Sequence, residues 1–404
     1  MNDFFDALRS LEGYQKLLTA FGKSKAHINI LGAAEGARAH ILSALMHETG
    51  KRVLVISPNE LSAKEFADEL ENFGITDIVK LPPYDISGLE AESASFDLRG
   101  SRITALSQID KGASAVVSVP SLLSFVMQKN TFNARTFSIN SGEDMTEPAK
   151  RLAQNGYKRV PEVTGIGQFA VRGGIVDVFV PGEEYPYRIE LFGDEVDTVR
   201  YFDIESQLSR ETISSARIIP ADGDFGEGCI ADYFNDETIF VFDMPAKISE
   251  AAKKYAKNVE ERLAQLSLKG KKAEKYPMIA YESAIKLIQS KSFLLGFCLL
   301  SQSSPDYKPS EVIRFSVKIL SAYSGQMDIL ADDVKAWLHK GYSVFIMAGG
   351  KQRTRGICDM LTEREIPCRI GAVSPSVAGI YEETVSKSFE YPQAKAVTAF
   401  RQVC

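Results

Sequence analysis

The segment His27-Ile-Asn-Ile-Leu-Gly-Ala-Ala-Glu-Gly-Ala-Arg-Ala39 decides the fold class of this 404-residue chain. Its first five residues are an apolar run typical of a strand, and a glycine-bearing turn then leads into residues with helical spacing. Apolar runs at residues 52–57 and 113–119 alternate with helical patterns in the same way. This alternation predicts an α/β domain with a parallel sheet, which we place at residues 1–134.

The turn within this segment stands where a phosphate-binding loop would stand. Such a loop needs a glycine, then a lysine for the β and γ phosphates, then a serine or threonine for Mg²⁺. Those three positions hold Ala37, Arg38 and Ala39, and Glu35 adds a carboxylate beside the phosphate position. We therefore predict a degenerate nucleotide site that binds no cofactor and hydrolyses no nucleotide, although an ordinary strand-to-helix turn explains the same residues. The residues of this degenerate loop are Gly32, Gly36 and Arg38.

Residues 135–220 have a different character, with many β-branched and aromatic residues and frequent glycines. A helix at 147–156 and strands at 168–172, 175–180, 187–192 and 196–202 predict an inserted, antiparallel α+β domain. The buried positions change from odd to even numbers across Gly173-Gly174, which predicts a glycine β-bulge. Gly193-Asp194 fits a two-residue hairpin turn of type II′.

The remaining residues return to alternating strands and helices. A strand at 238–242 and a helix at 246–266 lie within residues 221–308, which we expect to complete the first α/β domain. Residues 309–404 predict a small second α/β domain, with a strand at 343–347 between two helices, and its role stays open. The Lys269-Gly-Lys-Lys-Ala-Glu-Lys275 run is typical of a solvated loop or, less simply, of a polyanion contact.

Composition excludes several functional classes. Five widely spaced cysteines and four histidines show no metal-binding spacing, so we expect no metal site and no disulfide framework. No catalytic constellation is recognisable, and a formal net charge of −6 argues against a general affinity for nucleic acid. The sequence has neither a secretory signal nor an apolar run of about 20 residues, which predicts a cytoplasmic protein without membrane spans.

One strand of the middle domain carries the features of a binding surface. In Tyr187–Phe192, two-residue periodicity places Arg188, Glu190 and Phe192 on the face opposite the core. Arg172 reaches the same outer face, and Phe192 is predicted to be exposed beside the hairpin turn. Arginines around an exposed aromatic ring are typical of binding hot spots. The alternative is a solvated face on which Arg188 pairs with Glu190 or Asp197 and Phe192 packs under a loop.

Specific motifs in the middle domain resemble a known family. The segments Arg172-Gly-Gly-Ile-Val-Asp-Val-Phe179 and Tyr187-Arg-Ile-Glu-Leu-Phe-Gly-Asp-Glu-Val-Asp-Thr-Val-Arg-Tyr-Phe-Asp203 resemble the second domain shared by bacterial transcription-repair coupling factors and the excinuclease protein UvrB. The segments Leu81-Pro-Pro-Tyr-Asp85, Arg99-Gly-Ser-Arg-Ile-Thr-Ala-Leu106 and Gly325-Gln-Met-Asp-Ile-Leu-Ala-Asp-Asp333 are similar to the coupling factors in particular. The resemblance extends over about residues 13–392.

The resemblance distinguishes the coupling factors from UvrB. UvrB has an intact phosphate-binding loop and a long aromatic hairpin that clamps DNA. This chain has the degenerate loop and, between Tyr84 and Arg99, a short segment with Phe96 as its single aromatic residue. The resemblance therefore implies a coupling-factor module in which residues 1–134 and 221–308 form UvrB-like domains 1A and 1B, and residues 135–220 form domain 2.

The resemblance also implies a function. In the coupling factors this module is a non-catalytic mimic of UvrB that recruits the excinuclease protein UvrA. RNA polymerase, double-stranded DNA, ATP and Mg²⁺ are bound by other domains, so this chain is expected to be the N-terminal part of a longer protein. Arg172, Arg188 and Phe192 match the family's UvrA contact, and Glu190 matches an interface acid of UvrB. Ala170 departs from the UvrB pattern, which has arginine there.

Two other functions remain possible from the sequence. One is a nucleotide-dependent, helicase-like fragment related to UvrB that binds DNA and uses the loop at Gly32. The other is a DNA-binding module that acts through the lysine-rich loop at 269–275 and depends strongly on salt.

Overall fold

In the computed structural model of the protein, the described residues are 2–84, 95–222, 226–268, 278–298, 308–320, 323, 326–374, 376–385 and 387–400. They form three units. The middle unit is inserted into the chain of the first unit, and the last unit follows both.

The first unit begins with two helices and then alternates strands and helices. Two of its strands, Val53–Ser57 and Ser114–Ser118, are buried along their full length, as continuous apolar runs are in parallel sheets covered on both faces. The elements up to the insertion are α1 (Asn2–Arg9), α2 (Glu12–Phe21), β1 (Ala26–Leu31), α3 (Ala37–Thr49), β2 (Val53–Ser57), α4 (Glu60–Asn72), β3 (Ile78–Lys80), α5 (Ser95–Asp110), β4 (Ser114–Ser118), α6 (Val119–Leu123) and α7 (Lys129–Arg135).

The middle unit is an antiparallel sheet with one short helix. Its elements are β5 (Phe137–Asn140), α8 (Pro148–Gln154), β6 (Lys158–Arg159), β7 (Gln168–Arg172), β8 (Ile175–Val178), β9 (Tyr187–Phe192), β10 (Glu195–Phe202), β11 (Ser209–Ile213) and β12 (Ser215–Ile218). Six strands pair in the order β11-β10-β9-β8-β7-β6, and only β6 and β7 run parallel. Strands β5 and β12, the first and last of the unit, pair with each other. These strands confirm the predicted α+β insertion.

The chain then returns to the first unit through β13 (Ile239–Asp243), α9 (Pro245–Leu268), α10 (Tyr281–Gln289), β14 (Phe293–Cys298) and β15 (Glu311–Arg314). The completed sheet has seven strands in the order β15-β1-β14-β13-β2-β4-β3, all parallel. Strands that follow the middle unit therefore lie in the same sheet as strands that precede it. Strand β15 follows residue 309, the predicted start of the last unit. It nevertheless pairs with β1 at the edge of the first sheet.

The last unit is a second α/β unit. Its elements are β16 (Lys318–Ile319), α11 (Met327–His339), β17 (Ser343–Met347), α12 (Lys351–Glu363), β18 (Cys368–Ile370), β19 (Ala378–Tyr381), β20 (Phe389–Tyr391) and β21 (Ala396–Phe400). They form a mixed sheet in the order β16-β20-β21-β17-β19-β18. Across the described part of the chain, no helix combines the length and the hydropathy that a membrane span requires.

The β-bulge predicted at Gly173-Gly174 is wrong. Strands β7 and β8 pair without a register shift, with Phe169 opposite Val178 and Arg172 opposite Ile175. The two glycines are therefore a two-residue hairpin turn, in which Gly173 has a φ of 59°. A two-residue turn pairs odd-numbered with even-numbered residues, and this alone produces the parity change that we attributed to a bulge.

The second predicted hairpin is confirmed. Phe192 pairs with Glu195 and Leu191 with Val196, on either side of Gly193, which has a φ of 66°. A positive φ at the first turn position alone is the geometry of a type II′ turn. The true irregularity follows the turn, because the register shifts between Val196 and Thr198.

The core face of the middle sheet is continuous with the first unit. Val176 and Ile189 of the middle sheet belong to the same buried cluster as Leu54 and Val117 of the seven-stranded sheet. This shared core joins the middle sheet to the first unit, so the opposite face of the middle sheet is presented on a well-packed support.

Candidate partner-binding face and the glycine loop

The outer face of the middle sheet, the side opposite this core, carries two rows of residues that face one another across the strands. The first row runs through β7, β8, β9, β10 and β11 and consists of Ala170, Asp177, Arg188, Arg200 and Thr212. The second row runs through β7, β8, β9 and β10 and consists of Arg172, Ile175, Glu190 and Thr198. Because directly opposed side chains on one face contact each other, the charges of this surface interact as a network.

Asp177 lies at the centre of that network. Its side chain is only 1% exposed, and its two carboxylate oxygens accept hydrogen bonds from Arg188 Nε at 2.8 Å and Nη2 at 3.0 Å. Such a two-point contact between guanidinium and carboxylate is the strongest geometry for this pair. The hydrogen bond to Asp177 raises the pKa of Arg188, and burial opposes this increase.

Arg188 is also held by contacts that do not involve Asp177. Its Nη1 donates to the carbonyl oxygen of Gln207 at 2.9 Å, and its guanidinium lies 4.5 Å from the ring centroid of Phe202. With a side-chain exposure of 12%, most of this arginine is inside the protein. Arg188 therefore supports the outer face more than it projects from it.

Arg172 differs from Arg188 although it binds the same carboxylate. Its Nη2 donates to Asp177 at 3.0 Å, but its side chain is 49% exposed. A half-exposed guanidinium with one internal bond keeps several N–H donors directed to solvent. Arg172 is accordingly the arginine of this pair that is placed to contact another molecule.

Glu190 is partly exposed in the second row and has polar neighbours on its own face. Its Oε2 accepts a hydrogen bond from Thr198 Oγ1 at 2.9 Å and lies 3.8 Å from Arg200 Nη2. These contacts orient the carboxylate without burying it.

Phe192 ends strand β9 at the hairpin and is 84% exposed. Ile175, in the turn-proximal part of β8, is also exposed on this side. An exposed phenylalanine has a large unsatisfied apolar surface, and such residues next to arginine and carboxylate groups are typical of protein-binding sites. We call this surface the docking face. It consists of Arg172, Glu190, Phe192 and the adjacent hairpin turn Gly193-Asp194.

The structure places the predicted residues together and corrects their pairing. The exposure of Phe192 is confirmed, and Arg172, Arg188 and Glu190 all lie on the outer face. The alternative in which Arg188 pairs with Glu190 or Asp197 is wrong, because its partner is Asp177. We did not identify Asp177 from the sequence, although an aspartate within an apolar strand is unusual and signals a specific partner.

Ala170 belongs to a small separate cluster on the same side of the sheet. It is buried with Val163, Phe179 and Phe202. The alanine therefore contributes packing and adds no charge to the outer face.

The segment 32–36, which we call the glycine loop, connects β1 to α3, as predicted. Gly32 has a φ of 79° and Gly36 a φ of 82°, and both values lie in a region that favours glycine. A Cβ at Gly32 would lie 2.4 Å from the carbonyl oxygen of Phe315, and one at Gly36 would lie 2.9 Å from that of Lys387. Both glycines are therefore required by close backbone contacts within this chain, without any phosphate.

Arg38 stands where a phosphate-binding loop has its lysine, and its side chain is buried in the protein. It forms an ion pair with Asp243 at the end of β13, and both side chains are almost fully buried. Ser57 Oγ lies 3.5 Å from the second oxygen of Asp243. Burial raises the pKa of Asp243, and the charge of Arg38 opposes that increase. We did not identify Asp243 from the sequence, although its place at the carboxyl end of a parallel strand is where functional acids occur.

The remaining space near the loop is small and contains acidic groups. A cavity of about 230 Å³ is lined in part by Glu35, Arg38, Glu69 and Asp243. Burial raises the pKa of Glu69 to about 8. Lys387 of the last unit pairs with Glu35 across the mouth of the loop. Glu35 therefore places a carboxylate, already paired with Lys387, beside the start of α3, where a phosphate would bind.

The lysine-rich loop at 269–275 and the side chain of Phe96 lie outside the described residues. Within the described ranges, no group of three or more His, Cys, Asp or Glu side chains is arranged to hold a metal ion.

Comparisons with known proteins agree with the resemblance noted in the sequence. A family model described as the UvrB interaction domain matches residues 137–223, which include the whole docking face. The transcription-repair-coupling factor of Staphylococcus epidermidis is 24% identical over 95% of this chain. That of Bacillus subtilis is 22% identical over 98%, and that of Staphylococcus haemolyticus is 24% identical over 97%. The predicted similarity to a UvrB-like module of the coupling factors is therefore confirmed.

The chain spans about 38–40% of the length of these relatives.

Proposed function

We propose that this chain is a non-catalytic recruitment module that binds UvrA through the docking face of its middle domain. Phe192, almost fully exposed on a rigid sheet within the matched UvrB interaction domain, is the observation that carries the proposal. In the longer protein, this contact would bring UvrA to transcription complexes, while RNA polymerase and double-stranded DNA would be bound by other domains.

The contacts of the docking face support separate roles for its residues. Phe192 supplies apolar area, and Arg172 supplies guanidinium donors that fit a carboxylate on the partner. Glu190 supplies an acceptor for a basic group. Arg188 and Asp177 hold Arg172 and the sheet in position and contribute little direct contact area.

We further propose that the loop at Gly32 binds no ATP and supports no hydrolysis. Arg38 is neutralised by Asp243, and Glu35 and Lys387 form an ion pair at the loop mouth. A phosphate group would have to displace these pairs while it approached the carboxylates of Glu35 and Asp243, which is electrostatically unfavourable.

The proposal is tested by mixing the chain with UvrA and separating the complex by size-exclusion chromatography. We expect the wild-type chain to co-elute with UvrA and Phe192→Ala to elute separately, because truncating a hot-spot aromatic costs about 2 kcal/mol or more. The matched control is Leu61→Ala, which removes a side chain that is 66% exposed on the first unit. Circular dichroism verifies that both variants are folded.

Co-elution of folded Phe192→Ala at the wild-type level would show that UvrA binds elsewhere, and loss of binding in Leu61→Ala would implicate the first unit instead.

A further inference from the structure

Two cysteines of the last unit lie in direct contact. Cys358 is on helix α12 and Cys368 is on strand β18, and their Sγ atoms are 3.4 Å apart. Cys368 Sγ also lies 3.4 Å from the carbonyl oxygen of Cys358 and 3.6 Å from Thr362 Oγ1. Both thiols are partly exposed. We propose that Cys358 and Cys368 form a reversible disulfide, a redox modification site that takes a hydroperoxide as its oxidant.

The connection between the two elements holds the thiols together. Helix α12 ends at Glu363, and the backbone turns at Glu365, which has a φ of 57°. Ile366 is buried, and its N–H donates to the carbonyl oxygen of Leu361 at 2.9 Å. This anchored turn directs β18 back against the helix. An S–S bond of about 2.05 Å then requires the sulfur atoms to move together by a little over 1 Å, which side-chain rotation supplies.

The other described cysteines have no comparable arrangement. Cys229 and Cys298 are buried in the first unit, and burial raises the pKa of both thiols. Since the thiolate is the reactive form, these two are poorly suited to oxidation. Among the described residues, thiol contact and access to solvent therefore coincide only at Cys358 and Cys368.

The reaction balances with one hydroperoxide. The Cys358 thiolate attacks the terminal oxygen of the peroxide, the O–O bond breaks, and a sulfenic acid and one water or alcohol result. The Cys368 thiol then attacks the sulfenic sulfur, the S–O bond breaks, the S–S bond forms and water leaves. Two thiols lose two electrons and two protons, and the peroxide oxygens accept them. Burial raises the pKa of Cys368, which favours Cys358 as the first nucleophile.

The bond would tie helix α12 to an edge strand. Strand β18 lies at the edge of its sheet, and among the described strands its one neighbour is β19. A cross-link between helix and edge strand opposes separation of the two elements, and reduction by a small thiol restores the open pair.

The test uses the wild-type chain and hydrogen peroxide. After peroxide treatment, denaturation and alkylation, we expect the free thiols to fall from five to three per chain. A tryptic digest without reductant should contain residues 356–364 linked to residues 365–369, and dithiothreitol should release the two peptides. In Cys368→Ser, the linked peptide should vanish and a sulfenic acid at Cys358 should become trappable by dimedone.

The proposal is overturned if wild-type Cys358 is oxidised to sulfinic acid without any linked peptide, or if the thiols stay reduced at peroxide doses that oxidise a free cysteine peptide. A disulfide that joins Cys358 to Cys404 would likewise contradict it.

Discussion

At the scale of single residues, Asp177 explains why two neighbouring arginines have different roles. The same carboxylate binds Arg188, which is nearly buried, and Arg172, which is half exposed. The sequence predicted that both arginines lie on the outer face, because strand periodicity determines the face. It did not predict their common partner, because a pairing across two strands depends on register and on which arginine is covered by Gln207 and Phe202.

Replacement of Asp177 separates the two arginines by experiment. We expect Asp177→Asn to lower the free energy of unfolding by roughly 3 kcal/mol, because the buried guanidinium of Arg188 loses its charge partner. Arg172→Ala should cost less than about 1 kcal/mol, since it removes one half-exposed ion pair. Urea denaturation measures both values, and equal effects of the two variants would refute the assigned difference.

Burial of His40 makes the free energy of unfolding depend on pH, and it determines the direction of that dependence. Its ring stacks on Phe4 with centroids 3.9 Å apart, and burial lowers the pKa of His40 to about 3. Below pH 6.5 the unfolded chain binds a proton that the folded chain does not bind. His40 therefore decreases stability as the pH falls from about 6.5 toward 4, with a slope of at most about 1.4 kcal/mol per pH unit.

The contribution of His40 is isolated by comparing the wild-type chain with His40→Phe, which keeps a stacking ring but cannot titrate. Urea denaturation between about pH 4.5 and 7.5, the range in which an unfolded histidine titrates, should show a steeper loss of stability for the wild type. Parallel curves for the two proteins would mean that His40 takes up its proton over the same pH range in the folded and the unfolded chain.

At the scale of secondary-structure elements, two hairpins define the docking face. Gly173-Gly174 joins β7 to β8, and Gly193-Asp194 joins β9 to β10. The sequence predicted the strands and the second turn because alternation and glycine position are local signals. It misassigned the first turn as a bulge, since a parity change alone does not distinguish a bulge from a two-residue turn.

Gly193→Ala tests the second turn. A Cβ at Gly193 meets no atom within 4 Å, so the φ of 66° is the only source of strain. We expect a loss of roughly 1–2 kcal/mol in the free energy of unfolding. The control is Gly100→Ala in helix α5, where φ is ordinary and no atom lies within 4 Å of the added Cβ. That substitution should be neutral or stabilising by up to about 1 kcal/mol. Similar destabilisation by both would contradict the turn geometry.

At the scale of the whole molecule, the last unit covers the glycine loop of the first. Lys387 and Gly36 are far apart in sequence, yet the backbone of one limits the space beside the other. The sequence shows directly that the loop lacks the lysine and the serine or threonine of a phosphate-binding loop. Local patterns did not predict that Arg38 binds Asp243 or that Lys387 binds Glu35, because these contacts depend on how separate segments of the chain assemble.

This arrangement gives an expectation for nucleotide binding by the intact chain. We expect no saturable binding of Mg-ATP at concentrations up to about 1 mM and no phosphate release. Equilibrium dialysis with labelled ATP measures binding, and phosphate release is followed in the same samples. Micromolar affinity accompanied by turnover would support the alternative of a nucleotide-dependent fragment related to UvrB.

The most direct measurement is the dissociation constant of the complex with UvrA, determined by titration calorimetry for the wild-type chain and for the combined variant Arg172→Ala/Phe192→Ala. We expect the combined variant to bind at least about 30-fold more weakly, which corresponds to about 2 kcal/mol. The control Arg364→Ala, a partly exposed arginine paired with Asp328 in the last unit, should bind as the wild type does. An unchanged dissociation constant for the folded combined variant would contradict the assignment of the docking face.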